Sequence, residues 1–195
     1  MQKILTTACA IVALGTTACD PASADASTTG ADKAAISPAA AANPDTAPAK
    51  TAAAPKPAEG YDWAMRIDEE ERTRPAILAY EMNDTDAQPL HFSCEEGGAR
   101  IFAGIDDGPD SLSAITLTSG DQTLEIGGKT GHAEMPTFTS NEIAGSSPFF
   151  NAFAANGWLR MRADGKTTDM AGTSVGAKAV TEFVTHCNRP YSEQG

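Results

Sequence analysis

The chain has 195 residues, 41% of them hydrophobic and 21% charged, with 26 acidic against 14 basic side chains and a formal net charge of −12. That balance argues against recognition of nucleic acid or anionic lipid by charge, since both need a basic face, and it permits a basic partner through electrostatic steering. Core-forming composition is confined to 61–195, about 135 residues and one domain of ordinary size; this part holds 21 acidic and 10 basic residues and so carries −11 of the charge.

At the N-terminus, Met1-Gln2-Lys3 is a short positive segment, and Ile4 to Leu14 is an apolar run too short to span a bilayer. Residues 1–18 read as an export signal. The following Leu14-Gly15-Thr16-Thr17-Ala18-Cys19 resembles a bacterial lipobox, with Thr16 where Leu is usual. The resemblance implies cleavage before Cys19 and lipidation of that cysteine, anchoring the chain to a bacterial membrane facing the periplasm. Asp20 resembles the inner-membrane retention signal of enteric bacteria, and the choice between inner and outer membrane stays open. The rival reading is a soluble secreted protein cut after Ala22-Ser23-Ala24.

Residues 19–60 read as a tether. Between Asp20 and Gly60 there is one large aliphatic residue, Ile36, and no aromatic, while prolines stand at 21, 38, 44, 48, 55 and 57. Such a segment cannot bury enough apolar surface to offset the entropy of ordering. As a coil of about 40 residues it reaches about 35 Å.

The single globular domain, 61–195, opens with a strand over Tyr61 to Ile67, a charged turn at Asp68 to Arg72, and a second strand over Ala76 to Met82 behind Pro75. After turn chemistry at Asn83 to Asp86, Leu90 to Ile105 reads as a β-hairpin turned at Gly97 and Gly98, with Leu90, Phe92 and Cys94 on one face. A turn at Asp106 to Asp110 precedes strands over Ser113 to Thr118 and Thr123 to Ile126. Gly127 to Gly131 reads as a flexible loop, and Met135 to Thr139 as a short strand. Ser147-Pro148 begins a helix that ends at Gly157, with Phe149, Phe150 and Phe153 on one side. Trp158 to Arg162 and Thr167 to Met170 form a second hairpin around Ala163 to Lys166. The last element is a helix over Ser174 to Cys187, with an apolar stripe of Val175, Ala179, Val180, Phe183, Val184 and Cys187. The expected fold is α+β: seven or eight mostly antiparallel strands in a β-sandwich or open barrel, with two packed helices, one of them C-terminal.

Cys9 belongs to the signal and Cys19 to the lipobox. Cys94 and Cys187 remain, an even number that in an oxidising compartment predicts a disulfide. It would close a loop of about 90 residues, a contribution on the order of 4 kcal/mol by the chain-entropy relation. The Cys₂His₂ alternative, with His91 and His186, is disfavoured because His91 and Cys94 face opposite sides of a strand.

Other candidates are weaker. Gly172-Thr173-Ser174-Val175-Gly176 matches the G-x-S-x-G elbow, but the only later histidine, His186, lies about 18 Å along the same helix; Ser174 reads instead as the helix N-cap. Arg160 and Arg162 share a strand face and are candidates for clamping an anion. The Asp106–Asp110 run lacks an EF-hand spacing, Glu69-Glu70-Glu71 is an exposed acidic turn, and His132 has no identifiable partner. No catalytic residue, metal site or cofactor is expected.

The segment Phe92-Ser93-Cys94-Glu95-Glu96-Gly97, in a small lipid-anchored β-protein, resembles the opening of the membrane-bound inhibitors of c-type lysozyme. The resemblance implies a small barrel that binds a basic enzyme, which an acidic charge would suit. Where that family carries a Ser-Gly-rich inhibitory loop, this chain has Glu125-Ile126-Gly127-Gly128-Lys129-Thr130, so no inhibitory residue is carried over. The expectation is a non-enzymatic binding or accessory module of the cell envelope, attached to a membrane through Cys19, with a basic protein as the kind of partner it permits. The alternatives are an inhibitor of a basic lysozyme and a small hydrolase using Ser174 and His186.

Overall fold

The computed structural model describes residues 53–132 and 134–190. The expected signal, Cys19 and most of the expected tether lie outside them. Strands β1 (Tyr61–Ile67), β2 (Ala76–Met82), β3 (Leu90–Cys94) and β4 (Arg100–Asp106) follow one another as antiparallel neighbours. Then come β5 (Ala114–Ser119), β6 (Gln122–His132), β7 (Pro136–Ser140) and the two-residue β8 (Ile143–Ala144). Helix α1 (Pro148–Asn156), strands β9 (Trp158–Ala163) and β10 (Lys166–Ala171), and helix α2 (Ser174–Asn188) complete the domain. The sheet runs β1-β2-β3-β4-β7-β6-β5-β9-β10, with β8 paired to β4. It is mostly antiparallel and nearly closes into a barrel with the two helices packed against it, the expected fold class with ten strands rather than seven or eight.

The largest departure from the sequence reading is at Gly127 to Gly131, which is strand rather than loop. β6 runs eleven residues, pairing first with β5 and then, from Gly128 to His132, with β7. The glycines serve close approach: a Cβ at Gly128 would collide with the Thr139 carbonyl and lie 2.6 Å from the Phe138 ring. Glycine therefore marks the place where one strand serves two neighbours.

The core is aromatic. Phe92 of β3 lies 5.6 Å from Phe150, 5.9 Å from Phe153 and 6.5 Å from Phe183, measured between ring centres. The α1 phenylalanines are all buried, as the sequence pattern predicts. Ser147 stands at the N-cap of α1 without a side-chain hydrogen bond, and Gly157 ends the helix in the left-handed region at φ 67°.

Helix α2 is fastened at both ends. At its start the N-cap is Thr173, not Ser174: the Thr173 hydroxyl accepts from the N–H groups of Val175 and Gly176. Asp62 of β1 in turn accepts from the Thr173 N–H at 2.9 Å and from its hydroxyl, placing a carboxylate at the positive end of the helix dipole. A Cβ at Gly176 would overlap Asp62 Oδ1, so only glycine lets the helix come this close to β1. Val175 does not belong to the buried stripe; it is 72% exposed, whereas Val180, Phe183, Val184 and Cys187 are buried. Val175 sits in the first turn, where the helix has only just reached the β1 edge.

At the other end Cys187 is joined to Cys94 by the expected disulfide, Cα to Cα 5.8 Å. The β3–β4 turn caps the helix carbonyls: the Gly97 N–H donates to His186 O at 3.1 Å and the Ala99 N–H to Cys187 O at 2.9 Å. The turn falls where expected, with Gly97 and Ala99 in the left-handed region.

Two outcomes follow. Replacing Cys94 and Cys187 together by alanine lowers the unfolding free energy by about 2–4 kcal/mol in urea titrations. Thr173→Ala costs about 1–2 kcal/mol, while Ser174→Ala, at an exposed first helical position, stays within about 0.5 kcal/mol. The reverse ranking would return the cap to Ser174.

Candidate functional site

The residues singled out by sequence are distributed rather than gathered. Ser174 is exposed at the start of α2, and His186 is buried at its far end, where Nε2 lies 2.8 Å from the Arg74 carbonyl oxygen. At 1.5 Å per residue the two stand about 18 Å apart along the helix, so they form no nucleophile–base pair. The disulfide consumes both thiols that a Cys₂His₂ zinc site would need. Among the described residues no group of three or more His, Cys, Asp or Glu side chains is arranged to hold a metal.

Arg160 and Arg162 do share the outer face of β9. Register places them in two polar rows across the barrel wall, Glu125–Thr116–Arg162–Thr167 and Thr123–Thr118–Arg160–Asp169. Arg160 is engaged: its Nε and Nη2 both donate to the Asp169 carboxylate, the second at 2.9 Å. That fork holds the Asp169 carboxyl below its ordinary pKa. Arg162 is exposed between Thr116 and Thr167. One guanidinium of the pair is therefore engaged by a carboxylate within the protein.

Of the remaining candidates, Glu69 pairs with Arg74 at 2.8 Å, and this hydrogen bonding lowers the Glu69 pKa. Arg74 also reaches Glu96 at 2.8 Å, and Arg189 joins Glu96 at 3.3 Å. These pairs gather around the capped end of α2. His132 closes β6 in an exposed position.

The opposite wall is chemically different. Its rows across β1 to β4 read Arg66–Ile77–Ser93–Phe102 and Ala64–Ala79–His91–Gly104. An outward strand face normally alternates polar against the apolar interior, yet here the outer positions are largely apolar or small. Ile77 is 44% exposed, and Phe102 is half-buried. Ser93, small and central, floors a shallow cleft of about 250 Å³ walled by Pro75, Phe102, Glu95 and Arg100. At its rim Arg100 stands 3.9 Å from Glu95 and 3.8 Å from Glu142, beyond hydrogen-bond reach of either.

Beside the cleft, the His91 ring lies in a notch made by Gly104, where any Cβ would overlap it. Its Nδ1 is buried without a hydrogen-bond partner, 3.6 Å from Asp106 Oδ2. Burial holds the imidazole below its ordinary pKa, and the Asp106 carboxylate opposes that shift. The sequence offered a partial signal for this wall. In Ala-Ile-Leu-Ala-Tyr-Glu-Met of β2, Ile77 and Ala79 break the apolar–polar alternation.

Searches against protein-family models, curated proteins and solved structures find no match for this chain.

His91 gives the domain a pH dependence of definite sign. The unfolded chain binds a proton near pH 6.5, while the folded histidine binds it only at lower pH, so stability falls as pH drops below about 6.5 and levels off below the folded pKa. In NMR titration the His91 midpoint should fall below 6.5, and His91→Asn should flatten the stability profile between pH 7 and 5. A midpoint at or above 6.5 contradicts the half-buried, neutral ring.

Proposed function

We propose that this chain is a lipid-anchored protein of a bacterial cell envelope whose folded domain is a non-enzymatic binding or accessory module. The observation that carries the reading is the disulfide between Cys94 and Cys187, 93 residues apart. Such a bond persists in an oxidising compartment such as the periplasm, which agrees with the signal-like N-terminus and the lipobox-like run ending at Cys19. The tether of 19–60 would let the domain work away from the membrane surface. No helix among the described residues is long and apolar enough to cross a membrane, and the attachment proposed is through lipid.

Binding rather than catalysis is supported by the uses to which the ionisable side chains are put. Asp62 caps a helix, His186 meets a backbone carbonyl, and Arg160, Arg74 and Arg189 are held by carboxylates. A specific observation favours a second reading, inhibition of a basic c-type lysozyme: Phe92 to Gly97 forms a strand and turn tied to the disulfide in an acidic domain. That reading requires binding to a basic lysozyme at low salt, weakening as salt rises; no binding at low salt disposes of it.

The anchor is tested by fractionation in the native host. Wild type should sediment with membranes, and Cys19→Ala should move to the soluble fraction and lose incorporated acyl label. A wild-type protein found soluble would overturn the anchor.

A further inference from the structure

The two walls of the barrel differ in a way that packing does not require. Polar rows cover β5, β6, β9 and β10, whereas the β2–β4 wall exposes Ile77 and Phe102 around the small Ser93. A concave apolar spot rimmed by charge is the anatomy of an interaction surface. The cleft over Ser93, about 250 Å³, is the space of roughly eight water molecules at about 30 Å³ each. That is room for one large apolar side chain.

The rim decides which partner. Among the described residues Arg100 is the one cation lining the cleft; Glu95, in the same lining, and Glu142, just outside it, both stand by Arg100 at distances too long for a hydrogen bond. One cation against two carboxylates leaves the charge around Arg100 net acidic, on a chain of net charge −12. A second copy would bring the same acidic rim against itself. A basic segment would instead supply the missing cations, and like-charge rejection would exclude acidic competitors. We infer that the cleft over Ser93 docks a partner protein through one apolar side chain flanked by lysine or arginine. The inference rests on the reading of the domain as a binding module and names its contact surface and partner chemistry.

The test uses the isotope-labelled chain carrying Cys19→Ala, which keeps it in solution. The probe is a capped pentapeptide, Gly-Lys-Trp-Lys-Gly, with two controls, one with Ala for Trp and one with Glu for both lysines. At low salt the lysine–tryptophan probe should shift amide signals concentrated at Ser93, Glu95, Arg100 and Phe102. Ser93→Arg, which fills the cleft, and each control peptide should weaken binding at least tenfold. If Ser93→Arg loses native signal dispersion, Phe102→Ser removes a wall of the same cleft and should give the same loss.

Shifts spread over the acidic turns at Glu69 to Glu71, equal binding by the Ala control, or binding unchanged by the cleft variants would overturn the inference. So would concentration-dependent dimerisation that Ser93→Arg abolishes, which would assign the wall to a second copy. Because the readout is in solution, it does not depend on lipid. Failure of the anchor would appear only in fractionation, and failure of the cleft only here.

Discussion

The fold depends on how one helix is held. α2 is 15 residues long, about 22 Å at the helical rise, and β1 is seven residues, about 23 Å at the strand rise. The two lengths match, and the helix is fixed to the sheet at both of its polar ends. Asp62 and Thr173 satisfy the donors at its start. The β3–β4 turn and the disulfide hold its finish. At the buried finish, carbonyls without such partners would cost on the order of 1–3 kcal/mol each. With the ends fixed, Phe183 is placed against Phe92, and the barrel acquires its interior. The near-closure of the sheet follows from the same arrangement, because α2 packs along β1, the first strand of the path.

The helices bury their apolar faces against the inside of the sheet, which leaves the outer wall, the ends and the polar outer faces of the helices open to recognition. The ends are occupied by structural work: the Asp62 cap at one, the Arg74–Glu96–Arg189 pairs and the disulfide at the other. The outer wall carries no such structural work, and its two halves are not alike. The half beyond β5 has the hydroxyls and charges of an ordinary solvated face. The half over β2 to β4 combines an exposed Ile77, a His91 ring pressed onto Gly104, and a cleft over Ser93.

Most of the fold was legible because it is written in local patterns. Alternation fixed β1 and Pro75 marked the entry of β2, both to the residue, and the serine–proline start and glycine end bounded α1. Elimination among four cysteines found the disulfide. What was illegible depended on contacts distant in sequence. Gly127 to Gly131 has loop composition, and only the proximity of Phe138 and Thr139 makes its glycines strand residues. Thr173 displaces Ser174 as the cap because Asp62, 111 residues away, reaches it. Arg160 looked free for a ligand until register set Asp169 opposite it. Of the candidate surface, only the break in alternation at Ile77 and Ala79 could be seen in the sequence.

In the function proposed above, an oxidised, helix-clasped domain hangs from a lipid anchor. The most direct test of both is the intact mass of the protein isolated from membranes of its native host, before and after reduction and alkylation. The account predicts a chain beginning at an acylated Cys19, with no thiol to alkylate until reductant is added and two thereafter. A mass beginning at Asp25 would make the protein a soluble secreted one. Two thiols alkylated without reductant in the folded protein would contradict the clasp on which the architecture rests.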